Sequence, residues 1–226
     1  DDLTIPQICE KRSKMHFGGK TAGCYQMLGS AFRLIQAGNY SCPDSFKDIL
    51  RRYQEEDFRL DYEYRHFYFA YDRLDDTAKF EPLRDLVENI YTNEYLETLL
   101  PKWNQAIMEE DSFTALPLQQ DFYARNLRNA KERTVVIISD ALRYEVGKEL
   151  FLRMQDDPKC SATLEVQLSV LPSYTRLGMA ALLPHTELSI TDDFKVLIDG
   201  QPCENLTERE TILRKYSPDS VCVQFD

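Results

Sequence analysis

No apolar run in the sequence approaches the ~20 residues that a membrane-spanning helix needs, which excludes such a span and leaves no membrane partner to expect. Basic residues are in deficit, with 27 Lys and Arg against 38 Asp and Glu and a formal net charge of −11. Neutralising a nucleic-acid backbone takes clustered Lys and Arg, so a global nucleic-acid surface is excluded and only a local basic patch is left open. The acidity itself reads as solubility. Histidine is scarce too: His16, His66 and His185 are the three, none in an Asp-His pair or an Asp-x-x-x-His array. The six cysteines form no CxxC pair and stand at no zinc-finger spacing from a histidine. Cys24 and Cys222 lie in apolar surroundings and read as buried free thiols. No secretory signal is visible, so a reducing, cytoplasmic compartment is expected and the even cysteine count is accidental. Asp1-Asp2-Leu3-Thr4 has no initiating Met and reads as the cut edge of a longer chain. Internal repeats and low-complexity segments are also missing.

What is present is an ordinary globular composition, 43% hydrophobic and 29% charged over 226 residues, enough for one large domain or two small ones. Up to about residue 131 the pattern is helical. Residues 22–36 put Tyr25, Leu28, Ala31, Phe32, Leu34 and Ile35 on a broad apolar face, closed by Gly38-Asn39. Ser41-Cys42-Pro43-Asp44 is a turn with an N-cap, opening a helix around Phe46, Ile49, Leu50 and Tyr53. Further helices are expected at 82–99 and 101–109, with Trp103 as an anchor between them. Between these lie Tyr62, Tyr64, Phe67, Tyr68, Phe69 and Tyr71, interleaved with Arg59, Arg65 and Arg73. Such a stretch is either a stacking surface for single-stranded nucleic acid or a helix core with a solvated face. The acidic neighbours Asp57, Asp61 and Glu63 favour the core.

At Thr134 the pattern changes. Thr134-Val135-Val136-Ile137-Ile138 is short, β-branched and apolar throughout, as expected of a strand buried on both sheet faces. Asp140 ends it, and a helix follows through Tyr144 to Met154. A second strand is expected at 163–170, where Leu164, Val166, Leu168 and Val170 alternate with more polar positions. Pro172-Ser173-Tyr174-Thr175 turns into a short helix stopped by Pro184. A third strand spans 195–198, Asp199-Gly200 is a turn, and Thr207-Glu208-Arg209-Glu210 is a capping box. A further strand begins at 221–225. Strands alternating with helices imply an α/β layer with a mostly parallel sheet, incomplete in this chain and preceded by a helical region. The expected division is 1–131 and 132–226.

Open α/β sheets gather functional groups beyond the carboxyl ends of their strands. Asp140 stands at such a place, where its carboxylate serves either a divalent cation or the N-cap of the next helix. Thr175 stands where a turn becomes a helix, a position suited to an anionic phosphate and equally to a cap. Arg176 either holds a phosphate oxygen or faces solvent.

The two segments 136–145 (Val-Ile-Ile-Ser-Asp-Ala-Leu-Arg-Tyr-Glu) and 171–184 (Leu-Pro-Ser-Tyr-Thr-Arg-Leu-Gly-Met-Ala-Ala-Leu-Leu-Pro) together resemble the PglZ family. That family belongs to the alkaline-phosphatase superfamily and is typical of BREX bacteriophage-defence systems. The resemblance is strong over about 132–226 and weaker before it. It implies an alkaline-phosphatase-like fold, Asp140 as a metal ligand, Thr175 as nucleophile and second metal-contacting group, and Arg176 as a substrate-binding residue. Pro172-Ser173-Tyr174-Thr175 is similar to the Pro-Thr-x-Thr pattern of the superfamily's phosphodiesterases. It further implies two divalent ions, zinc by likeness, phosphate mono- or diesters as substrates, and other BREX defence proteins and DNA as partners. The alternative is a scaffold of the defence complex. The remaining Asp and His ligands are expected beyond residue 226, and Asp140 and Thr175 are expected on one crevice at neighbouring parallel strands.

Overall fold

The computed structural model describes residues 4–15, 18–110 and 116–225; the first three residues and His16 lie outside that range. In chain order the helices are α1 (Ile5–Ser13), α2 (Gly18–Gln36), α3 (Phe46–Arg52), α4 (Phe58–Tyr71), α5 (Glu81–Asn89), α6 (Glu97–Glu109), α7 (Phe122–Asn126), α8 (Tyr144–Gln155), α9 (Thr175–Ala181) and α10 (Leu206–Arg214). The strands are β1 (Leu188–Ile190), β2 (Val196–Ile198) and β3 (Gln201–Pro202). Two compact units result. One comprises 1–111 with 143–160, the other 112–142 with 161–226.

The first unit is helical. Met27, Ala31 and Leu34 fall at helical spacing on α2 and meet Phe67, Ala70 and Tyr71 of α4 and Val87 of α5 in one buried cluster. At Gly29 an added Cβ would stand 3.4 Å from that of Cys9, so α1 and α2 approach closely there. Two π-helical turns, Tyr53–Asp57 and Ile90–Leu96, join α3 to α4 and α5 to α6 without a break in the helical run. Pro101 lies inside α6, where it removes one backbone N–H without ending the helix. Trp103 stacks on Phe46 of α3 with ring centroids 5.2 Å apart.

The tyrosine-rich stretch is helix core with one solvated face: Phe67 and Tyr71 are buried, Tyr62, Tyr64 and Tyr68 half-buried, and carboxylates engage several of the hydroxyls in and around it. Tyr53 and Tyr91 donate to Asp61 at 2.5 and 2.9 Å, and Tyr64 and Tyr68 donate to Glu88 at 2.8 and 2.6 Å. Tyr40 donates to Asp57 at 2.7 Å. Burial, reinforced by the accepting carboxylate, pushes the Tyr64 phenol up to about 12. Phe69 alone of this group is exposed, with the Arg73 guanidinium 3.5 Å from its ring centroid.

In the second unit β1, β2 and β3 form an antiparallel sheet in that order. Asp199 and Gly200, with φ of 49° and 74°, make the two-residue turn between β2 and β3. Leu177 and Ala180 of α9, Val196 and Ile198 of β2, Cys203 just after β3, and Ile212 of α10 form its core. The N-cap of α10 is Asn205, which accepts from Glu208 N–H at 2.9 Å, so the capping box stands two residues ahead of its expected place. The N-cap of α3 is Ser45, just past the expected turn.

The sheet corrects the expectation in an informative way. The 195–198 strand forms, but as the middle of an antiparallel hairpin, because five residues join it to β1 and two to β3. Parallel neighbours need a crossover of a dozen residues or more. Residues 134–138 form no regular element and pair with no strand among the described residues; Val135 is 72% and Ile137 88% exposed. Residues 221–225 likewise make no ladder. An apolar run becomes a buried strand only when neighbours cover both faces, and here none does. Residues 163–170 keep the expected alternation, with Leu164, Val166, Leu168 and Val170 half-buried, yet form a single parallel bridge, Leu168 to Leu118. Among the described residues the sheet is thus a small antiparallel one, and a mostly parallel sheet is not seen there. Cys24 and Cys222, expected to be buried, are half-buried; all six cysteines are free thiols, and burial raises the pKa of these two.

Helix α8 is fixed within the first unit by charge. Glu149 accepts from Arg65 at 2.7 Å and from Arg153 at 2.5 Å, with His66 Nε2 at 3.4 Å, and Glu145 is fully buried with Arg65 Nε 3.5 Å away. Burial alone would raise the Glu149 pKa, but hydrogen bonds from Arg65, Arg153 and His66 outweigh it and hold the carboxyl at about 2, against 4.5 when free. A carboxylate depressed in the folded state stabilises fully above its free pKa and loses that contribution as pH falls through the folded value. Unfolding of the protein should therefore show an acid-side stability loss between about pH 4.5 and 2. Glu149→Gln should flatten that limb in denaturant titrations; an unchanged acid limb would show that Glu149 does not anchor α8.

Candidate active site

The candidate site lies within the second unit, where an apolar segment and a turn meet. After Ile138 the backbone turns at Asp140-Ala141, and Ala141 adopts a left-handed φ of 54°. Asp140 Oδ1 accepts from the Ala141 N–H at 3.0 Å. Helix α8 begins only at Tyr144 with Arg143 as its N-cap, so Asp140 is not the cap that its place in the sequence also allowed. Thr175 is the first residue of α9, whose N-cap is Tyr174. Neither Ser173 nor Thr175 caps the helix. At seven residues α9 has barely two turns of aligned peptide dipoles to offer an anion.

With both capping roles gone, the two side chains are found together. Thr175 Oγ1 donates to Asp140 at 3.0 Å to Oδ2 and 3.3 Å to Oδ1, across 35 positions of sequence, and both residues are exposed. The arrangement offers a hydroxyl already bonded to a carboxylate and open to a ligand from solvent. Arg176 is engaged with Glu204, Nη1 to Oε1 at 3.1 Å. An exposed pair of this kind contributes about 0–1 kcal/mol, so a phosphate could displace Glu204 at small cost. His185 sits in a loop with Nδ1 2.7 Å from Leu183 O. Asp199 is spent on structure, its Oδ1 accepting from the N–H groups of Thr186 and Glu187 at 3.0 and 2.8 Å.

The pair was legible in the sequence; what holds its turn was not. Gln119 accepts from the Val170 N–H through Oε1 at 3.1 Å and donates from Nε2 to the Gly178 carbonyl at 3.2 Å. These partners are 51 and 59 positions away, and a polar residue opening a short 3-10 turn carries no local pattern that would reveal them.

Residues 121–226 match the family described as "BREX system PglZ alkaline phosphatase-like domain". These residues belong to the PglZ family. Among curated proteins, the "Alkaline phosphatase-like protein PglZ" of Bacillus cereus (strain H3081.97) is 36% identical over 236 aligned residues, covering 100% of this chain and 28% of that protein. The "Alkaline phosphatase-like protein BrxZ" of Escherichia coli O9:H4 (strain HS) is 38% identical over 211, covering 85% of this chain and 24% of that protein. The chain thus spans about a quarter of the length of these relatives. No solved structure matches it.

A catalytic zinc takes three protein ligands and an open position. Asp140 and Thr175 supply one carboxylate and one hydroxyl, and among the described residues no group of three or more His, Cys, Asp and Glu could hold an ion. The residues present therefore do not fit a metal centre by themselves. Calorimetric titration of residues 1–226 with zinc should accordingly give only weak binding without defined stoichiometry. Tight one-to-one binding, or any higher whole-number ratio, would reveal a site that the described residues do not contain.

Proposed function

We propose that this chain supplies the nucleophile of a phosphoester hydrolase acting in a BREX-type phage-defence system, with Thr175 as nucleophile and Asp140 as its carboxylate partner. The observation that carries the reading is the 3.0 Å hydrogen bond from Thr175 Oγ1 to Asp140 Oδ2 at a solvent-open position. A threonine hydroxyl is a weak nucleophile until a base or a cation favours its alkoxide. In the proposed reaction Oγ1 attacks phosphorus as its proton passes to the Asp140 carboxylate. The new O–P bond forms while the bond to the leaving oxygen breaks, and that oxygen takes up a proton from water. Water then attacks the phosphothreonine phosphorus as the Oγ1–P bond breaks; Oγ1 takes back the proton held on Asp140, the proton lost by the attacking water neutralises the hydroxide left in the first step, and the phosphate product is released. Arg176, freed from Glu204, would hold a non-bridging phosphate oxygen with its planar fork.

The proposal includes a divalent metal, zinc by family likeness and two ions in the complete centre, with Asp140 and Thr175 contributing two of its oxygens and other ligands coming from outside this chain. Such ions favour the alkoxide that a carboxylate alone favours poorly. It also places the apolar run 134–138 in a largely parallel sheet, completed by strands this chain does not hold. Phosphate mono- or diesters, nucleic acid among them, are the substrate class. Other defence proteins are the partners, and the cytoplasm, with no membrane contact, is the location. A second reading is a scaffold of the defence complex with catalysis secondary or lost, for which the helical unit, to which no chemistry is assigned, is the supporting feature.

The two readings part on one substitution. In the full-length, metal-loaded protein, Thr175→Ala should lower hydrolysis of p-nitrophenyl phosphate and bis-p-nitrophenyl phosphate by ~10⁴-fold or more, as removal of a covalent nucleophile does. Its stability should fall by only about 1 kcal/mol, the worth of one exposed hydrogen bond. Undiminished turnover would exclude Thr175 as nucleophile. Phage defence that survives full loss of turnover would favour the scaffold.

A further inference from the structure

We infer that Gln119 is a positioning residue for Thr175, its side-chain amide tying together the two ends of the turn that presents the hydroxyl to Asp140. Gln119 lies just ahead of the family-matched segment 121–226, so the inference concerns a residue outside it. It rests on the reading of Thr175 as nucleophile. Val170 precedes Thr175 by five residues and Gly178 follows it by three. The Gln119 amide accepts from the N–H of the first at 3.1 Å and donates to the carbonyl of the second at 3.2 Å. Its own backbone N–H donates to Leu168 O at 2.8 Å, and Leu168 N–H donates to Pro117 O at 2.9 Å, so the amide is itself held in register with the strand-like segment leading into the turn. Between the two clamped points the remaining backbone bonds are local: Tyr174 N–H donates to Pro172 O at 3.0 Å, Gly178 N–H donates to Tyr174 O at 3.0 Å, α9 starts at Thr175, and Leu177 is buried in the unit's core.

The chemistry selects glutamine for this task. One planar group must accept and donate at once, in opposite directions, across a gap that asparagine is one methylene too short to span. Glutamate of the same length can accept from Val170 but meets the Gly178 carbonyl with a like partial charge, and leucine satisfies neither group. A nucleophile must be held within a fraction of an ångström of its line of attack, and a displacement of about 1 Å can cost on the order of 10²-fold in rate. Thr175 is exposed and makes its side-chain bond to Asp140 alone, so the turn has to supply that precision.

The test compares Gln119→Leu and Gln119→Glu with wild type in the full-length, metal-loaded protein, using bis-p-nitrophenyl phosphate turnover and amide hydrogen exchange read by mass spectrometry. Gln119→Leu should lower kcat by about tenfold to a hundredfold with KM within about twofold, because the turn is displaced while the binding surface stays. Gln119→Glu should fall between it and wild type. In both, exchange should quicken in 170–178 and stay unchanged in α10 and in the helical unit. Should Gln119→Leu fail to fold, Gln119→Glu carries the same comparison. Wild-type kcat in a folded variant with quickened exchange overturns the positioning role, and unchanged exchange in 170–178 overturns the clamp itself. Wild-type protein without turnover, together with quickened exchange in the variants, overturns Thr175 as nucleophile and leaves Gln119 as a clamp of the turn alone.

Discussion

A hydroxyl and a carboxylate that are far apart in sequence, both facing water, have little reason to meet unless the backbone brings them together. In this protein Thr175 and Asp140 meet at 3.0 Å, although an exposed hydrogen bond is too weak to organise the chain around it. The constraint comes from behind. Leu177 and Ala180 seat α9 against β2 and α10, and the Gln119 amide closes the turn ahead of the helix. Every chemical statement about the site depends on that backing, since neither side chain is held by burial of its own.

The helical unit follows a different rule. Polar groups help to set its helix contacts, and five of its tyrosine hydroxyls find a carboxylate: Asp57, Asp61 and Glu88 between them accept from Tyr40, Tyr53, Tyr91, Tyr64 and Tyr68. A paired buried hydroxyl costs little, whereas an unpaired one costs a kilocalorie or more, so these networks specify which helix faces meet as well as holding them. Glu149, which accepts from Arg65 and Arg153, carries the same logic to α8, the helix that follows Asp140 in sequence, while the buried Glu145 has only the Arg65 ion pair at 3.5 Å. The surplus of acid that gives the chain its net charge of −11 is thus partly structural rather than only a solvated face.

Much of this was legible in the sequence, and the limits have physical causes. Helical spacing put Ala31 and Leu34 on the buried face of α2, though it passed over the buried Met27 and included the exposed Ile35, and the Asp199-Gly200 turn stood out because only a few residue types accept left-handed φ. Asp140 and Thr175 stood out as candidates at two expected strand-to-helix junctions, although either residue could equally have been a cap; only the backbone, with Arg143 and Tyr174 in the cap positions, removes that alternative. Sheet order was not legible. Hydrophobic pattern records which face of a strand is meant to be buried, and it says nothing of whether a neighbour is present to bury it. Residues 134–138 therefore have the composition of a central strand and the exposure of a loop. Gln119 was invisible for another reason: its role lies in two backbone groups more than fifty positions away.

The central claim is that the Thr175 oxygen itself attacks phosphorus. A covalent phosphothreonine requires two successive displacements at the phosphorus atom, each inverting it, so the net course is retention; direct attack by water gives a single inversion. Hydrolysis of a phosphorothioate ester made chiral by oxygen isotopes, carried out by the full-length protein in isotopically labelled water, reads this outcome without requiring the intermediate to accumulate. The account predicts retention of configuration. Inversion would contradict it and leave the Thr175 to Asp140 hydrogen bond without a covalent role.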